Sequence, residues 1–370
     1  MDQRIDKRIV LATAGSGKTF YIANSFCENS RVLLLSFTNR NVDNIRREII
    51  KRFSEIPTDV KIHTFDSFVY NFLIRPFEPI LNFDNINSSG VEVKIKPVVD
   101  AREYRYVKME KIEHYMIDNR YYISRISKLF INQDKEYKIK VLRNIEKYFD
   151  MIFIDEFQDY NGNDFKVLKY LLENLKMPVI AVGDIFQSNV TPIRDDGVGS
   201  SKPFKEIKCQ NDLYSVAKIH KSIDIDEVSL KKSRRAPECV CEFIRNNLNI
   251  NILSCSDVEG NIEYIDNVVK LDEILNNKNV VKLIWNKDVC KGISLHNTIN
   301  WSYSKGDTYL DACIILTKTT SDIKKWSELS LSTRNKLYVA LTRAKNNVYL
   351  IRNEVFESWK TTRGSITCRN

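Results

Sequence analysis

Several features are missing from this 370-residue chain, and each absence narrows what it can be. No run approaches the ~18 uninterrupted apolar residues of a membrane-spanning helix. The opening Met1-Asp2-Gln3-Arg4 has no apolar stretch of the signal-peptide kind. A soluble protein of the cytoplasm, without a membrane partner, is the expectation. The eight cysteines include no Cys-x-x-Cys pair, and no His-rich segment completes a zinc spacing around Cys239-Val240-Cys241. An iron–sulfur site from Cys239, Cys241, Cys255 and Cys290 is the metal alternative, but reduced structural thiols fit better. There is no internal repeat, no low-complexity tail and no nuclease constellation, so strand cutting would need a partner.

What is present suits a folded, multi-domain chain. At 43% hydrophobic and 28% charged residues, wholesale disorder is excluded. The length suggests two to three domains of ~150 residues. Lys and Arg number 57 against 48 Asp and Glu, a net +9 that permits a polyanion partner.

The first 75 residues alternate short apolar runs with helical patterns, as in parallel α/β units. Arg8-Ile9-Val10-Leu11, Arg31 to Ser36 and Lys61-Ile62-His63 read as strands, with helices near 17–28 and 40–53 and another after His63. From 81 to 147 the composition turns basic and tyrosine-rich, without strand-like runs after Val98-Val99. Residues 94–147 hold fourteen Lys/Arg and eight Asp/Glu, a net +6. Tyr104-Arg105-Tyr106-Val107-Lys108 and Arg120-Tyr121-Tyr122 alternate the two kinds. This segment reads as a helical insertion, either a solvated surface over packed tyrosines or a contact for a nucleic-acid backbone. Buried-strand runs return at Met151 to Ile154 and Pro178 to Val182, around a helix near 164–175, and 194–202 reads as a loop. Beyond about 223 a second α/β set has strand candidates at 261–265, 281–285, 312–316 and 347–351.

Between the first strand and its helix lies Ala12-Thr13-Ala14-Gly15-Ser16-Gly17-Lys18-Thr19. It departs from the strict G-x-x-x-x-G-K-[ST] form because Ala12 replaces the first glycine. The chemistry survives: backbone N–H groups cradle phosphates, the Lys18 ammonium reaches the β/γ-phosphates, and the Thr19 hydroxyl binds Mg²⁺. A glycine-rich turn without function is the alternative. Asp155-Glu156-Phe157-Gln158-Asp159 directly follows a buried strand. There Asp155 would hold Mg²⁺ and Glu156 would activate water, unless both merely start a loop.

These residues resemble, in order along most of the chain, the motifs of superfamily 1 helicases of the UvrD/Rep/PcrA type. Gly15 to Thr19 is similar to motif I, Ser36 to Arg40 to motif Ia, His63 to Phe68 to motif Ib, and Ile154 to Asp159 to motif II. Val182 to Ser188 resembles motif III, Leu230 to Arg235 motif IV, Tyr303 to Tyr309 motif V, and Leu337 to Ala344 motif VI. The resemblance implies two RecA-like domains with parallel sheets and a small helical 1B-type insertion, with ATP and Mg²⁺ in the cleft between the two. The ATP-binding domain would be residues 1–80 and 148–222, the insertion 81–147 and the second domain 223–370.

By the same resemblance, Glu156, Lys18, Gln187, Arg235 and Arg343 are catalytic. Gln158 and Gln187 sense the γ-phosphate, and Arg343 is the arginine finger. Ala14, Gly15, Ser16, Gly17, Lys18, Thr19, Gln158, Arg234 and Gly306 bind the nucleotide, and Thr19 and Asp155 the metal. Phe37, Thr38, Asn39, His63, Thr64, Phe65 and Ser302 contact single-stranded DNA, with Phe37, Phe65 and Phe68 either stacking on bases or filling the core. Arg234 and Arg235 read alternatively as a solvated basic patch.

The chain also departs from that family. Arg234 stands where a tyrosine usually stacks on adenine, the run Ser188 to Arg194 lacks the usual aromatic, and Thr308 replaces a motif V glutamate. Only 64 residues separate Arg235 from Asn300, too few for a large 2B domain. The implied activity is an ATP-driven 3′–5′ translocase or helicase on single-stranded DNA, compact, from a phage or mobile element or working with a partner such as a nuclease or replication factor. A nucleotide-switched binding subunit and a viral-type superfamily 1 RNA helicase are the alternatives.

Overall fold

The computed structural model describes residues 5–81, 83, 86–95, 111–188, 203–207, 209 and 211–367. The Val98-Val99 pair, the Tyr104 to Lys108 alternation, the Asn189 to Arg194 run and the 194–202 stretch lie outside them. The chain forms two compact units. The first comprises Met1–Val10, Lys18–Gly183 and Thr191–Asp226, and the second Leu11–Gly17, Asp184–Val190 and Glu227–Asn370.

The chain begins with β1 (Lys7–Ala12), α1 (Lys18–Ala23), β2 (Val32–Ser36), α2 (Asn39–Phe53) and β3 (Val60–Thr64). Next, α3 (Phe65–Phe68) runs on through a π-helical turn, Val69–Ile74, and a 3₁₀ turn, Arg75–Ile80. Then come β4 (Gly90–Glu92), β5 (Met116–Ile117), β6 (Arg120–Tyr122), α4 (Ile126–Asn132), α5 (Lys135–Tyr148), β7 (Met151–Asp155), α6 (Gly162–Asn174), β8 (Val179–Gly183), α7 (Asn211–Ser215) and β9 (Asp224–Leu230). The sheet order is β3-β2-β7-β8-β1-β9, with β2 parallel to both β3 and β7, and β7 parallel to β8. Every residue of β2 and β8 is buried, as expected of parallel strands covered on both faces. On α2 the buried Val42, Ile45 and Ile49 recur at helical spacing, and the Thr38 hydroxyl caps the start by accepting from the Asn41 amide.

The insertion holds a small sheet as well as the expected helices. Its described part pairs β4 parallel and β5 antiparallel to β6 in a three-stranded sheet, followed by α4 and α5. Strands of two or three residues leave no periodicity to read, and the apolar content of β6 is tyrosine. Tyr115 and Tyr121 are fully buried, so tyrosines do pack beneath this surface.

The second unit continues with β10 (Lys232–Ser233), α8 (Glu238–Leu248), β11 (Leu253–Ser254), β12 (Asn261–Tyr264), α9 (Val268–Asn276), β13 (Val280–Ile284), β14 (Thr298–Asn300), β15 (Asp311–Ile315), α10 (Leu331–Leu341), β16 (Asn347–Ile351) and α11 (Asn353–Thr367). Its main sheet is wholly parallel in the order β12-β16-β15-β13-β14. Alternate residues feed two cores. Val281, Leu283, Ala312, Ile314, Val348 and Leu350 join Val240 and Ile244 of α8 and Leu337 of α10. Val280, Ile284, Cys313, Ile315 and Ile351 join Leu271 of α9 and Phe356 and Trp359 of α11. Lys282 interrupts the apolar run of β13; its buried ammonium donates to the Asn277 carbonyl. Burial pushes that ammonium below its ordinary range.

The protein is thus mixed α/β with two parallel sheets of the RecA-like kind. Among the described residues, no helix is long and apolar enough to cross a membrane. The seven described cysteines are free thiols, and among the described residues no cluster of three or more His, Cys, Asp or Glu is arranged for a metal. Leu283 lies fully buried in the centre of the second sheet. Leu283→Ala is therefore expected to lower unfolding free energy by about 2–5 kcal/mol, measured by urea denaturation followed by circular dichroism. A loss below about 1 kcal/mol would contradict this packing.

Candidate functional site

In the first unit, the chemistry collects where β7 ends. The Asp155 carboxylate is buried; its Oδ2 accepts from the Ser36 hydroxyl at 3.3 Å, and Oδ1 is buried without a hydrogen-bond partner. Burial, and then the neighbouring Glu156 charge, raise Asp155 to about 7. Glu156 has φ +53°, a left-handed conformation uncommon for a residue with a side chain. That conformation ends the strand and starts a 3₁₀ turn, Phe157–Asp159. Glu156 Oε1 lies 3.4 Å from the Lys18 ammonium, and its Oε2 accepts from the Gln158 amide. Gln158 is fully buried. Gly183 is required here, because a Cβ would press on Gln158 Oε1 and lie 2.7 Å from Phe157 Cδ1.

The second unit holds the rest of the loop. Gly15 and Gly17 have φ of +75° and +89°. A Cβ on Gly15 would sit 2.6 Å from Arg235 Cβ, so close approach as well as conformation demands glycine. The loop is held by its backbone. The Thr13 N–H donates to the Leu230 carbonyl, the Ser233 hydroxyl to the Ala14 carbonyl at 2.7 Å, and the Arg234 N–H to the Gly15 carbonyl. The Ala14 N–H donates to the Tyr338 phenol at 2.9 Å, and that phenol donates to Asp184 Oδ2 at 3.0 Å. Asp184 Oδ2 also accepts from the Gln187 amide at 2.8 Å. Both backbone groups of Ala14 are thus engaged within the protein, whereas the Ser16 hydroxyl is buried without a partner.

Two guanidiniums accompany these groups. Arg235 Nη1 donates to the Thr342 carbonyl, and burial lowers its pKa. Arg343 is buried, donating to the carbonyls of Val339, Ser304 and Asp307 and to the Thr342 hydroxyl. Burial, then repulsion from Arg235, pulls Arg343 down to about 9. Two cations held together in a desolvated setting favour an anion beside them. Arg234 is exposed, and Gly306 sits in a turn with φ +88°. Tyr338, Asp184, Ser36 and Ser233 escaped the sequence-level site assignment, although each falls inside a quoted motif; their buried polar groups become meaningful only when their partners are known.

The expected strand-contacting residues divide. Thr38 and Asn39 are exposed at the start of α2, and Phe37 is half-buried edge-on to Tyr160. His63 is half-buried against Phe72, and burial depresses its pKa. Thr64 caps α3, accepting from the Ser67 amide. Phe65 and Phe68 are fully buried, Phe65 lying 4.7 Å from the Tyr160 ring. Their rings fill the core, the alternative to base stacking, because α3 turns inward immediately after β3. Ser302 is half-buried, with its N–H on the Asn300 side chain.

The orphaned oxygen of Asp155 fits a hard divalent cation such as Mg²⁺, and the half-buried Thr19 hydroxyl in the same unit is a suitable second oxygen donor. Metal-free, the buried carboxyl favours its protonated form. The unfolded chain (Asp ~3.9) gives up that proton first. Stability in EDTA is therefore expected to fall as pH rises from about 4 to about 7. Asp155→Asn should remove that decline, read from thermal midpoints at about pH 5 and about pH 8, on either side of the raised titration. An unchanged slope in the variant would refute the assignment.

A family model described as an AAA domain matches residues 4–191, half of the chain. No curated protein matches in sequence. Among solved structures, the chain is similar to the PRRSV helicase at 12% identity and TM-score 0.45, over 94% of this chain and 52% of that one. It is similar also to an arterivirus nonstructural protein 10 helicase in complex with DNA, at 11% identity and TM-score 0.47 over 93% and 60% of the two chains. A further crystal structure of an arterivirus nonstructural protein 10 helicase gives 12% identity and TM-score 0.46 over 95% and 61%. The chain spans between about half and three-fifths of the length of these helicases. By the match over residues 4–191, the chain belongs to the AAA domain family.

Proposed function

We propose that this protein is an ATP-hydrolysing motor of helicase superfamily 1, a Mg²⁺-dependent translocase or helicase on single-stranded DNA, with 3′–5′ polarity. The observation that carries this reading is the Lys18–Glu156 ion pair at 3.4 Å beside the buried, under-satisfied Asp155. An ammonium on the phosphate loop, a carboxylate with an oxygen open to a metal and a second carboxylate to take a proton suit phosphoryl transfer to water. In this reading Lys18 meets phosphate charge, and Thr19 and Asp155 hold the metal. Glu156, released from Lys18, accepts the proton of the attacking water. Bound Mg²⁺ would supply charge neutralisation on the phosphate oxygens.

Gln158 and Gln187 would report the γ-phosphate, and Arg235 and Arg343 would supply positive charge as hydrolysis proceeds. For Arg343 to reach a phosphate, its bonds to Ser304 and Asp307 must be exchanged, which makes hydrolysis dependent on a rearrangement. Residues 1–80 with 148–222 would form the ATP-binding domain, 81–147 a basic insertion and 223–370 the second domain. Thr38, Asn39, His63 and Ser302 are the proposed strand contacts, and the net +9 charge supports a polyanion. A protein partner such as a nuclease or replication factor would add what the chain lacks.

Steady-state ATPase with and without single-stranded DNA, beside Lys18→Ala, tests the proposal. Stimulation of about tenfold is expected, with a loss of about 100-fold or more in the variant. A slow rate that DNA leaves unchanged would sink the motor reading.

A further inference from the structure

The second sheet ends in a cavity of about 730 Å³, lined by Ile284, Asn286, Lys287, Leu295, Ile299 and Tyr303 among others. Its position follows from register. Strands β13 and β14 are parallel neighbours with Ile284 opposite Asn300, so the segments leaving their C-terminal ends run out side by side. One carries Trp285-Asn286-Lys287 and the other Trp301-Ser302-Tyr303. The two tryptophans meet edge-on at 5.4 Å, and Trp301 is fully buried with its indole N–H on the Leu283 carbonyl. That contact fixes the start of both segments, and the next residues, Asn286, Lys287 and Tyr303, line the cavity. The C-terminal ends of parallel strands are where open α/β sheets bind ligands.

From this geometry we propose that the cavity is a base-binding pocket, taking one unstacked nucleobase of a single-stranded nucleic acid. This rests on the strand-binding reading above and adds a site to it. The walls from Ile284, Ile293, Leu295 and Ile299 are apolar, as the faces of a flat aromatic ring require. The Asn286 carboxamide makes no side-chain cap to the turn it begins, so both its donor and its acceptor are available to a base edge. Lys287 supplies an ammonium for the adjoining phosphate. Tyr303 is 79% exposed, whereas a pocket built to enclose a free metabolite would bury its aromatic ring. A ring standing in solvent beside the cavity suits a polymer that continues past it, with the next base stacked on the tyrosine.

The test is fluorescence anisotropy with a labelled oligothymidylate and with an abasic strand of the same length. Wild type is expected to prefer the strand with bases. Tyr303→Ala should weaken that strand about tenfold and leave the abasic strand unchanged, while Tyr303→Phe keeps the preference, because the exposed ring and not the fold is being removed. Equal base-to-abasic ratios in wild type and Tyr303→Ala would overturn the pocket and leave strand binding intact. Failure of wild type to bind either strand would overturn strand binding and the pocket together.

Discussion

Asp155 imposes the constraint on which the first unit is organised. A carboxylate is buried at the end of a parallel strand with one oxygen unpaired, and a second carboxylate follows it. Burying such a group without full compensation costs several kcal/mol and displaces its titration instead. The surroundings relieve only part of this: Ser36 donates one hydrogen bond, and Lys18 is drawn to Glu156. The left-handed turn at Glu156 ends the strand, and the second carboxylate still lies close enough to raise the titration of the first. A site left electrostatically incomplete in this manner is unfavourable for folding alone, which is the physical basis of the proposal that an ion and phosphates complete it.

The second unit solves a different problem, fixing a glycine loop that would otherwise be mobile. Four acceptors and donors from distant sequence, Leu230, Ser233, Arg234 and Tyr338, hold residues 13–15 through backbone groups. Tyr338 also reaches Asp184, which holds Gln187, so a single phenol links the loop to a motif 154 positions before it in the chain. Because both oxygens of Asp184 are engaged, one to the Phe186 N–H and the other to Gln187 and Tyr338, motion of the loop cannot leave Gln187 unaffected. Arg235 and Arg343, close enough to repel, gain from any anion that enters beside them.

Much of this was legible in the sequence, and the reasons for the misses are specific. Continuous apolar runs such as Val32 to Leu35, Ile152 to Ile154 and Ala312 to Ile315 announce buried parallel strands because both faces are covered. Asp224–Leu230 carried no such signal, since most of its side chains are not buried. Neither did the three-residue β14 or the Tyr-rich β6, which are too short to show a period. The helix anticipated near 17–28 is confined to Lys18–Ala23, where the Asn24 and Ser25 side chains turn back onto the carbonyls of Phe20 and Tyr21. Residue types at the phosphate loop and after β7 declared their chemistry, but the role of Tyr338 depended on a contact 324 positions away that no local pattern encodes.

The shortness of the second unit also shapes its surface. With 64 residues between Arg235 and Asn300, that interval has room for β11 to β14, α8 and α9 and for no further domain. Among the described residues, β14 therefore remains the edge of its sheet, pairing only with β13. An exposed edge invites unwanted pairing unless it is short or covered. Here the edge strand is three residues long, and the chain beyond it turns at Trp301–Gly306. That turn buries one aromatic, Trp301, and presents another, Tyr303, to solvent. The burial of Trp301 accounts for the stability of the edge, but it gives no reason for the exposure of Tyr303. In the base-pocket proposal that exposure has a use, since a ring left in water beside the cavity is accessible for stacking.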